Sequence, residues 1–422
     1  MRKAVAGLAF VLLAGTPVGA ATADGSSTLP QVPAGFVITH YATAGGAGTG
    51  LDLGPDTRDP EAPPRLYIAD YVNGRISVVD DVQGSGGPPE TFAEGFSSPL
   101  GVLATDDGTV FVADSTTKEG PYGSRPYGRV WRLEDKDKDG VAEKKTLLIG
   151  DLPNGRHNTN GMAIGPDGML YVTNGNATDD GVEGGNPEVV PWSGSVIRLD
   201  PDAKNLSIKK LPLKKTLVAT GMRNVYDVVF SPFDPTQLWI PMNGLDDARR
   251  AEEEGDEEGR ENSDDLLYMT DMNDRRKGKP RLDDFGFPSC LYNIVKKGNL
   301  KPYNNPNPRT MKKFGPCPKK KVPLPEASFG LHVSADGAAF QESDAWGDEY
   351  ENDLFVAEWG NLFGTEIRGH DVIQVELDES GTKVTAQSVF TIGGAPIDVT
   401  FDQQGNLYLL DFSGDVFKIS KP

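Results

Sequence analysis

Basic residues and long apolar runs are both scarce in this 422-residue chain. Its 42 lysines and arginines face 62 acids, and the formal charge of −20 argues against nucleic acid or anionic membranes as partners. Beyond the first residues, no apolar run approaches the roughly 20 residues that a membrane-spanning helix needs. Four histidines, widely scattered, do not make a metal-binding set by themselves.

The first 23 residues have the pattern of a secretory signal peptide. Arg2 and Lys3 precede the apolar run AVAGLAFVLLAG, and small residues follow it at Ala20 and Ala23. No cysteine follows the run, so a lipoprotein anchor is not expected. We therefore expect an exported protein, secreted or periplasmic.

The chain has only two cysteines, Cys290 and Cys317, and both lie in one segment rich in lysine, proline and asparagine. An even count in an exported chain favours one local disulfide. A metal-binding pair is the alternative, but no histidine is nearby. We expect a disulfide-bearing insertion over residues 289–325.

A repeated pattern of paired strands organises the rest of the chain. A turn leads into a short apolar strand, a second turn follows, often at Asp-Gly, and a further strand then ends in a polar residue. The copies end at Asp70, Asp114, Asn174, Asn243, Trp359 and Asp411. Evenly spaced alternating strands of this kind predict an all-β fold, a six-bladed β-propeller of four-stranded antiparallel blades. Residues 24–422 would form one domain, carrying an acidic insertion at residues 246–265.

In a propeller, the innermost strands of all blades begin at one mouth of the central channel. The residues just before those strands should therefore converge into a site built from loops on a rigid ring. The segments predicted to meet there are Ser97–Leu100, Arg156–Asn160, Met222–Tyr226, Ser328–His332 and Gly394–Asp398.

Five motifs near these positions follow one another in a known family's order. They are the H-x₆-I-G-P-D-G-x-L-Y pattern from His157, G-x-R-N at Gly221–Asn224, F-G-F-P at Phe285–Pro288, the turn at Glu358–Asn361, and G-x-P-x-D-V at Gly394–Val399. The chain thereby resembles the soluble glucose and sorbosone (aldose sugar) dehydrogenases that depend on pyrroloquinoline quinone (PQQ). The resemblance covers nearly all of the chain after the signal peptide and also implies a six-bladed propeller.

The resemblance assigns roles to several residues. His157 would take the proton of the sugar hydroxyl while hydride passes to the quinone, a task suited to an imidazole. Arg223 would stabilise the charge that arrives on the quinone oxygens. Asn224 and Arg368 would be cofactor contacts. Asn160 would be a third cofactor contact, at a position where relatives often have a basic residue.

The family also binds calcium through backbone carbonyls, which here would come from Asn243, Gly244 and Leu245. Two positions depart from the family pattern. Ala395 replaces an arginine that contacts the cofactor, and Trp359 replaces a polar residue. Since PQQ carries three carboxylates, these departures keep a propeller without cofactor, acting as a binding or structural module, open as an alternative.

A second candidate calcium site follows a predicted strand in blade 2. The sequence DKDKDG places Asp135, Asp137 and Asp139 at calcium-loop spacing, with Glu143 at the ninth position. The twelfth position is Thr146 rather than the glutamate such loops require. A simple charged turn is the alternative.

The sequence therefore predicts an exported sugar dehydrogenase with PQQ and calcium, a small sugar as substrate and a separate electron acceptor. Besides the binding module, a metal-dependent hydrolase of the lactonase kind is an alternative, for which Glu358, Asn174, Asn224 and Asp398 would supply ligands.

Overall fold

The alternating segments form antiparallel sheets arranged as a ring, which confirms the six-bladed β-propeller. A computed structural model describes residues 29–182, 190–245, 263–272, 282–295, 299–361 and 367–422. The predicted signal peptide and residues 246–262 of the acidic insertion lie outside these ranges. Within them, no helix is long and apolar enough to cross a membrane.

Each blade has four main strands, numbered outward from the channel. Blade 1 contains Gly48–Gly54, Arg65–Asp70, Arg75–Val79 and Glu90–Glu94. Blade 2 contains Pro99–Ala104, Val110–Gly120, Gly123–Glu134 and Lys144–Pro153. Blade 3 contains Thr159–Ile164, Leu170–Asn174, Ser195–Leu199 and Leu217–Thr220, with Asp283–Asp284 added in parallel at its edge.

The remaining blades follow the same plan. Blade 4 has a broken inner strand, Asn224–Val225 and Val229–Phe230, followed by Gln237–Asn243, Asp264–Asp271 and Ala327–Leu331. Blade 5 contains Ala335–Phe340, Leu354–Glu358, Asp371–Leu377 and Val384–Ile392. Blade 6 contains Pro396–Phe401, Leu407–Asp411, Asp415–Ser420 and the N-terminal strand Val37–Thr43.

Alternating side chains join each blade to both of its neighbours. In the second strand of blade 1, Leu66 and Ile68 pack toward blade 6, whereas Tyr67 and Ala69 pack toward blade 2. Because both faces of such a strand are covered, its sequence is continuously apolar. Six clusters of buried side chains lie between neighbouring blades, one at each junction, and together they form the core.

The ring closes where the N-terminal strand pairs with the last strand. Val37 lies opposite Ser420, and Thr43 lies opposite Asp415. The paired strands have the sequences VITHYAT and DVFKIS. A second link lies at the channel, where the backbone N–H of Leu51 donates to Asp398, 2.9 Å away. Blade 6 is therefore connected to blade 1 at its outer edge, through the N-terminal strand that precedes blade 1 in the chain, and at its inner edge, through this hydrogen bond.

The insertion in blade 4 forms a hairpin of Cys290–Val295 and Asn299–Asn304, followed by the helix Pro308–Phe314. Asn307 caps the helix by accepting from the N–H groups of Arg309 and Thr310. The predicted disulfide between Cys290 and Cys317 is present, and both cysteines are buried. The smaller elements are the hairpin Asp81–Val82 with Ser85–Gly86, the helix Leu213–Thr216 and the 3₁₀ turn Asp344–Trp346.

One mouth segment is not where the sequence placed it. Ser328–His332 was expected before the inner strand of blade 5, but Ala327–Leu331 is the outer strand of blade 4. The inner strand of blade 5 begins at Ala335. The prediction failed because the insertion delays the last strand of blade 4, so two successive strands were counted as one.

Candidate functional site at the upper mouth of the channel

The inner strands of all six blades begin at the same face, which we call the upper mouth. There, each second strand places a buried or half-buried polar residue opposite the start of the inner strand. These residues are Asp70, Asp114, Asn174, Asn243, Glu358 and Asp411. The polar strand ends seen in the sequence therefore form a ring around the channel. In blade 5 that position belongs to Glu358 rather than to Trp359, which follows it.

His157 lies in the loop that enters blade 3. Its Nδ1 is 2.8 Å from the carbonyl oxygen of Asn176. A carbonyl only accepts hydrogen bonds, so Nδ1 carries the proton and the neutral ring keeps its lone pair on Nε2. Burial, reinforced by the positive charge of Arg223, holds the pKa of His157 well below 6.5. The imidazole is therefore neutral at pH 7 and can accept a proton at Nε2.

Arg223 is buried beside this histidine. Its Nε and Nη2 donate to the carboxylate of Asp179, and its carbonyl accepts the N–H of Asn176 at 2.6 Å. Its Nη1 donates to no described residue and so stays available as a donor. The ion pair fixes the guanidinium plane, which places a rigid cation next to the base.

A row of amide side chains continues from blade 3 to blade 5. Asn160 donates to the carbonyl of Val225 at 3.0 Å and to the side chain of Asn224 at 3.4 Å. Asn224 donates to Asn243, which donates to the carbonyl of Ala335 at 2.9 Å. The structure thus brings Asn160, Asn224 and Asn243 together with His157 and Arg223.

Acids gather on the adjoining part of the mouth, in blades 4 and 5, where Asn243 donates to Asp336 at 3.2 Å. Asp265, Asp336 and Glu358 are buried, and Asp371 is half-buried. Burial raises the pKa of Asp265 to about 6 and that of Glu358 to about 11, the latter with a contribution from the neighbouring Asp371. The mouth therefore has a donor side formed by amides and Arg223 and an acidic side formed by these four carboxyl groups.

The proposed calcium carbonyls border the acidic side. The N–H of Gly244 donates to Asp265 at 2.5 Å, and the N–H of Leu245 donates to the hydroxyl of Ser263 at 2.7 Å. Because a trans peptide directs its N–H and C=O to opposite sides, the Gly244 carbonyl points away from Ser263. The Leu245 carbonyl, by contrast, already accepts the N–H of Ser263 at 3.0 Å.

Arg368 lies in the loop between the second and third strands of blade 5. Its backbone N–H donates to the Asn361 side chain at 2.9 Å, and its carbonyl accepts the N–H of Asn361 at 3.1 Å. These two bonds hold Arg368 against Asn361; residues 362–366 lie outside the described ranges. The described contacts do not join Arg368 to the donor side, so its cofactor role remains a prediction.

The second calcium candidate lies elsewhere. Asp135, Asp137, Asp139 and Glu143 follow the third strand of blade 2, at the face opposite the upper mouth, with oxygens within 4.8 Å of one another. Asp135 also accepts from the Thr57 hydroxyl at 2.5 Å and from the Gly140 N–H at 3.0 Å. The carboxylates meet as the spacing predicted, at a position remote from His157.

The ligands considered for a hydrolase do not share one site. Asn174 donates to the carbonyls of Pro153 and Trp192, and Thr159 donates to its side-chain oxygen. Asp398 lies within the channel, where both of its oxygens accept backbone N–H groups. With these atoms engaged, the geometry does not favour the lactonase hypothesis.

A cavity of about 350 Å³ fills the channel below the mouth and is lined by the six inner strands. The Tyr226 hydroxyl donates to the Thr49 carbonyl at 2.7 Å, so this side chain crosses from blade 4 to blade 1 on the opposite side of the ring. Asp52, Asp227 and Asp398 face the cavity. Tyr226 therefore forms a floor between the upper mouth and an acidic interior.

Several site residues escaped the sequence analysis. Asp179 holds Arg223 from a loop that carries no motif. Asp371 lies opposite Glu358 on the third strand of blade 5, the position that Arg75 and Arg129 occupy in blades 1 and 2, and Asp265 is the second residue of the third strand of blade 4. Aligning the third strands of the repeats would have revealed this exchange of arginine for aspartate.

Comparison with solved structures supports the fold. The calcium structure of a Trichoderma reesei carbohydrate-active enzyme of family AA12 is 15% identical, with a TM-score of 0.69 over 93% of this chain and 97% of that chain. The holo PQQ domain of Coprinopsis cinerea pyranose dehydrogenase is 14% identical, with a TM-score of 0.67 over 93% and 97%. The apo soluble aldose sugar dehydrogenase of Escherichia coli is 16% identical, with a TM-score of 0.63 over 92% and 100%.

At these identities, the likeness shows a shared propeller fold and leaves the chemistry to be argued from the residues. No curated protein matches the sequence. Residues 59–274 match the family described as Domain of unknown function (DUF7133), and since the match covers half of the chain, the protein belongs to that family.

Proposed function

We propose that this protein is an exported oxidoreductase, secreted or periplasmic, that oxidises a hydroxyl group of an aldose-type sugar with PQQ and calcium at the upper mouth. The observation that supports this most strongly is the pairing of a neutral His157, its Nε2 free to accept a proton, with the buried cation Arg223. Propellers of the same fold include sugar dehydrogenases and a holo PQQ domain.

The residues present fit the quinone on the donor side of the mouth. Carbonyl oxygens of a quinone need hydrogen-bond donors and positive charge, which Arg223 and the second amide hydrogen of Asn224 can supply. Asn160, whose two amide hydrogens go to Val225 and Asn224, would support the site by holding Asn224. The acidic side does not suit carboxylates unless a cation intervenes. Calcium held by the carbonyls of Asn243 and Gly244 would meet that need, since calcium prefers oxygen ligands.

When bound, PQQ supplies the acceptor for the hydride that leaves the sugar carbon. His157 takes the hydroxyl proton at Nε2, which makes loss of hydride from the same carbon easier. The hydrogen bond from Nδ1 to the Asn176 carbonyl holds the ring in this tautomer. Arg223 stabilises negative charge at the mouth, and Asp179 keeps its guanidinium in place. A separate electron acceptor completes the cycle.

Replacing His157 with Gln tests the role of the base. The expected result is nearly unchanged binding of PQQ and calcium, with sugar-dependent quinone reduction slowed by ~10²–10⁴-fold. His40→Gln is the matched control, because His40 lies in the outer strand of blade 6 and should leave the rate unchanged. A fully active His157→Gln protein would show that the base is another residue.

A further inference from the structure

Glu358 differs from the five residues at equivalent positions in the other blades. Each of those five has hydrogen-bond partners. Asp70 accepts from Arg75 and Asp114 from Arg129, Asn174 and Asn243 bond to backbone carbonyls, and Asp411 accepts from the N–H of Ala395. Glu358 is only 3% exposed, yet its Oε1 has no hydrogen-bond partner.

The residue opposite Glu358 makes this contrast sharper. In blades 1 and 2, the third-strand residue opposite this position is an arginine that pairs with the acid facing it. In blade 5, the register places Asp371 directly opposite Glu358. Its Oδ1 is also buried and bonds to no donor group, and the two facing carboxyl groups lie close enough to share a proton. Two carboxyl groups that face each other across a sheet cannot both stay ionised unless a cation lies between them.

The surroundings add negative charge rather than removing it. Asp265 and Asp336 lie within electrostatic range of Glu358 and raise its pKa further. Among the described residues, no lysine or arginine forms an ion pair with any of these four acids. The imidazole of His370, which also acts on Asp371, donates its Nδ1–H to the carbonyl of Gly394. Buried carboxylates without a cation are costly.

We propose that Glu358 and Asp371 bind a calcium ion at the upper mouth of blade 5. Opposite residues on antiparallel strands have Cβ atoms roughly 4.5–5.5 Å apart, which lets two carboxylates of unequal length close on one ion with calcium–oxygen distances of about 2.3–2.6 Å. Water and backbone oxygens would complete the coordination shell of the ion. The negative charges of Asp265 and Asp336 would further favour a cation at this position. Its protein ligands are side-chain oxygens of blade 5 rather than the carbonyls of Asn243 and Gly244, and it does not depend on PQQ.

The test uses the protein without quinone, titrated with Ca²⁺ after EDTA treatment. Two readouts are the melting temperature and the luminescence of Tb³⁺, a calcium substitute that Trp359, next to Glu358, can sensitise. The expected result is a melting temperature that rises with Ca²⁺ concentration, together with a Tb³⁺ signal that Ca²⁺ displaces.

Glu358→Gln should weaken Ca²⁺ binding roughly tenfold or more, because ligand charge sets calcium affinity, and should abolish the sensitised signal. In EDTA it should melt close to the wild type, because the raised pKa of Glu358 leaves its carboxyl neutral without a cation and Gln is neutral and of similar size. Asp371→Asn should reproduce both effects if Glu358→Gln fails to fold. Asp137→Asn, in the remote blade 2 cluster, is the control and should leave the Trp359-sensitised signal unchanged.

Equal Ca²⁺ affinity in the wild type and Glu358→Gln would overturn the proposal and place any calcium at another site. A wild-type protein without a Ca²⁺-dependent melting shift would also overturn it, and would mean that the acid pair shares a proton instead. Neither readout involves sugar oxidation, so these failures are distinct from a failure of the proposed dehydrogenase.

Discussion

At the scale of single residues, the site depends on how the environment sets the charge of each group. His157 is neutral because it is buried and because Arg223 lies near it, whereas Arg223 is held by Asp179. The same carboxyl chemistry gives stable ion pairs at Asp70 and Asp114 but an uncompensated pair at Glu358. Asp70, Asp114 and Glu358 share one position in the repeat, and the residue opposite each of them on the third strand decides whether it forms an ion pair.

Arg223→Gln should raise the pKa of His157. The positive charge that disfavours protonation disappears, whereas the nearby carboxylate of Asp179, which favours the protonated form, stays. NMR titration of the imidazole signals, with His157→Gln for assignment, measures the change. His40, in the outer strand of blade 6, serves as the internal reference. An unchanged His157 titration would contradict the electrostatic coupling.

The sequence predicted some of these residues and could not predict others. His157, Asn160, Arg223 and Asn224 fall before inner strands, so the repeat alone brought them to one mouth. Asp179 could not be found, because a loop inserted after a strand has no register that fixes its direction. The ion pair it forms depends on packing between distant segments, and the sequence carries no periodic signal for that packing.

At the scale of elements, the N-terminal strand Val37–Thr43 completes blade 6. Removing residues 29–43 should expose the edge of Asp415–Ser420 and cause aggregation, because unpaired edges recruit other strands. The control is a chain that begins at Leu29 and keeps the strand. Soluble yield and size-exclusion profiles measure the outcome. A soluble monomer with unchanged melting temperature after the deletion would refute this closure.

The blade 4 insertion is a second element whose attachment can be tested. Cys290 and Cys317 are separated by 27 positions, and a closed loop of this size is worth about 3.5 kcal/mol on a chain-entropy estimate. A Cys290→Ala/Cys317→Ala variant should lose hydrogen-exchange protection mainly over residues 285–325, with a lower unfolding free energy. Loss of protection evenly around the ring would show that the insertion is integral to it.

At the scale of the whole molecule, buried acids should make stability depend on pH. Burial raises the pKa of Asp52 and of Asp227 to about 7, from 3.8 when exposed. Between these values the folded state holds more protons than the unfolded state, so this contribution to the unfolding free energy falls as pH rises from about 4 to 7.

Calorimetry at pH 6 and pH 8, at constant ionic strength, should therefore find a lower melting temperature at pH 8. Asp52→Asn should show a smaller drop in melting temperature between pH 6 and pH 8, because it removes one of the titrating groups. At pH 6 it should be less stable than the wild type, because the single oxygen of an amide cannot accept the N–H bonds of both Leu53 and Ala104. An identical drop in both proteins would exclude Asp52 as a source.

The upper mouth of the ring combines a donor side and an acidic side. We propose that the protein oxidises sugars there with PQQ and calcium. The most direct measurement adds both to purified protein and then follows quinone absorbance without oxygen as aldoses are supplied. The account predicts a bound quinone spectrum that is reduced by at least one aldose. A spectrum that never forms, or that no sugar changes, would contradict the account and favour a binding propeller without cofactor.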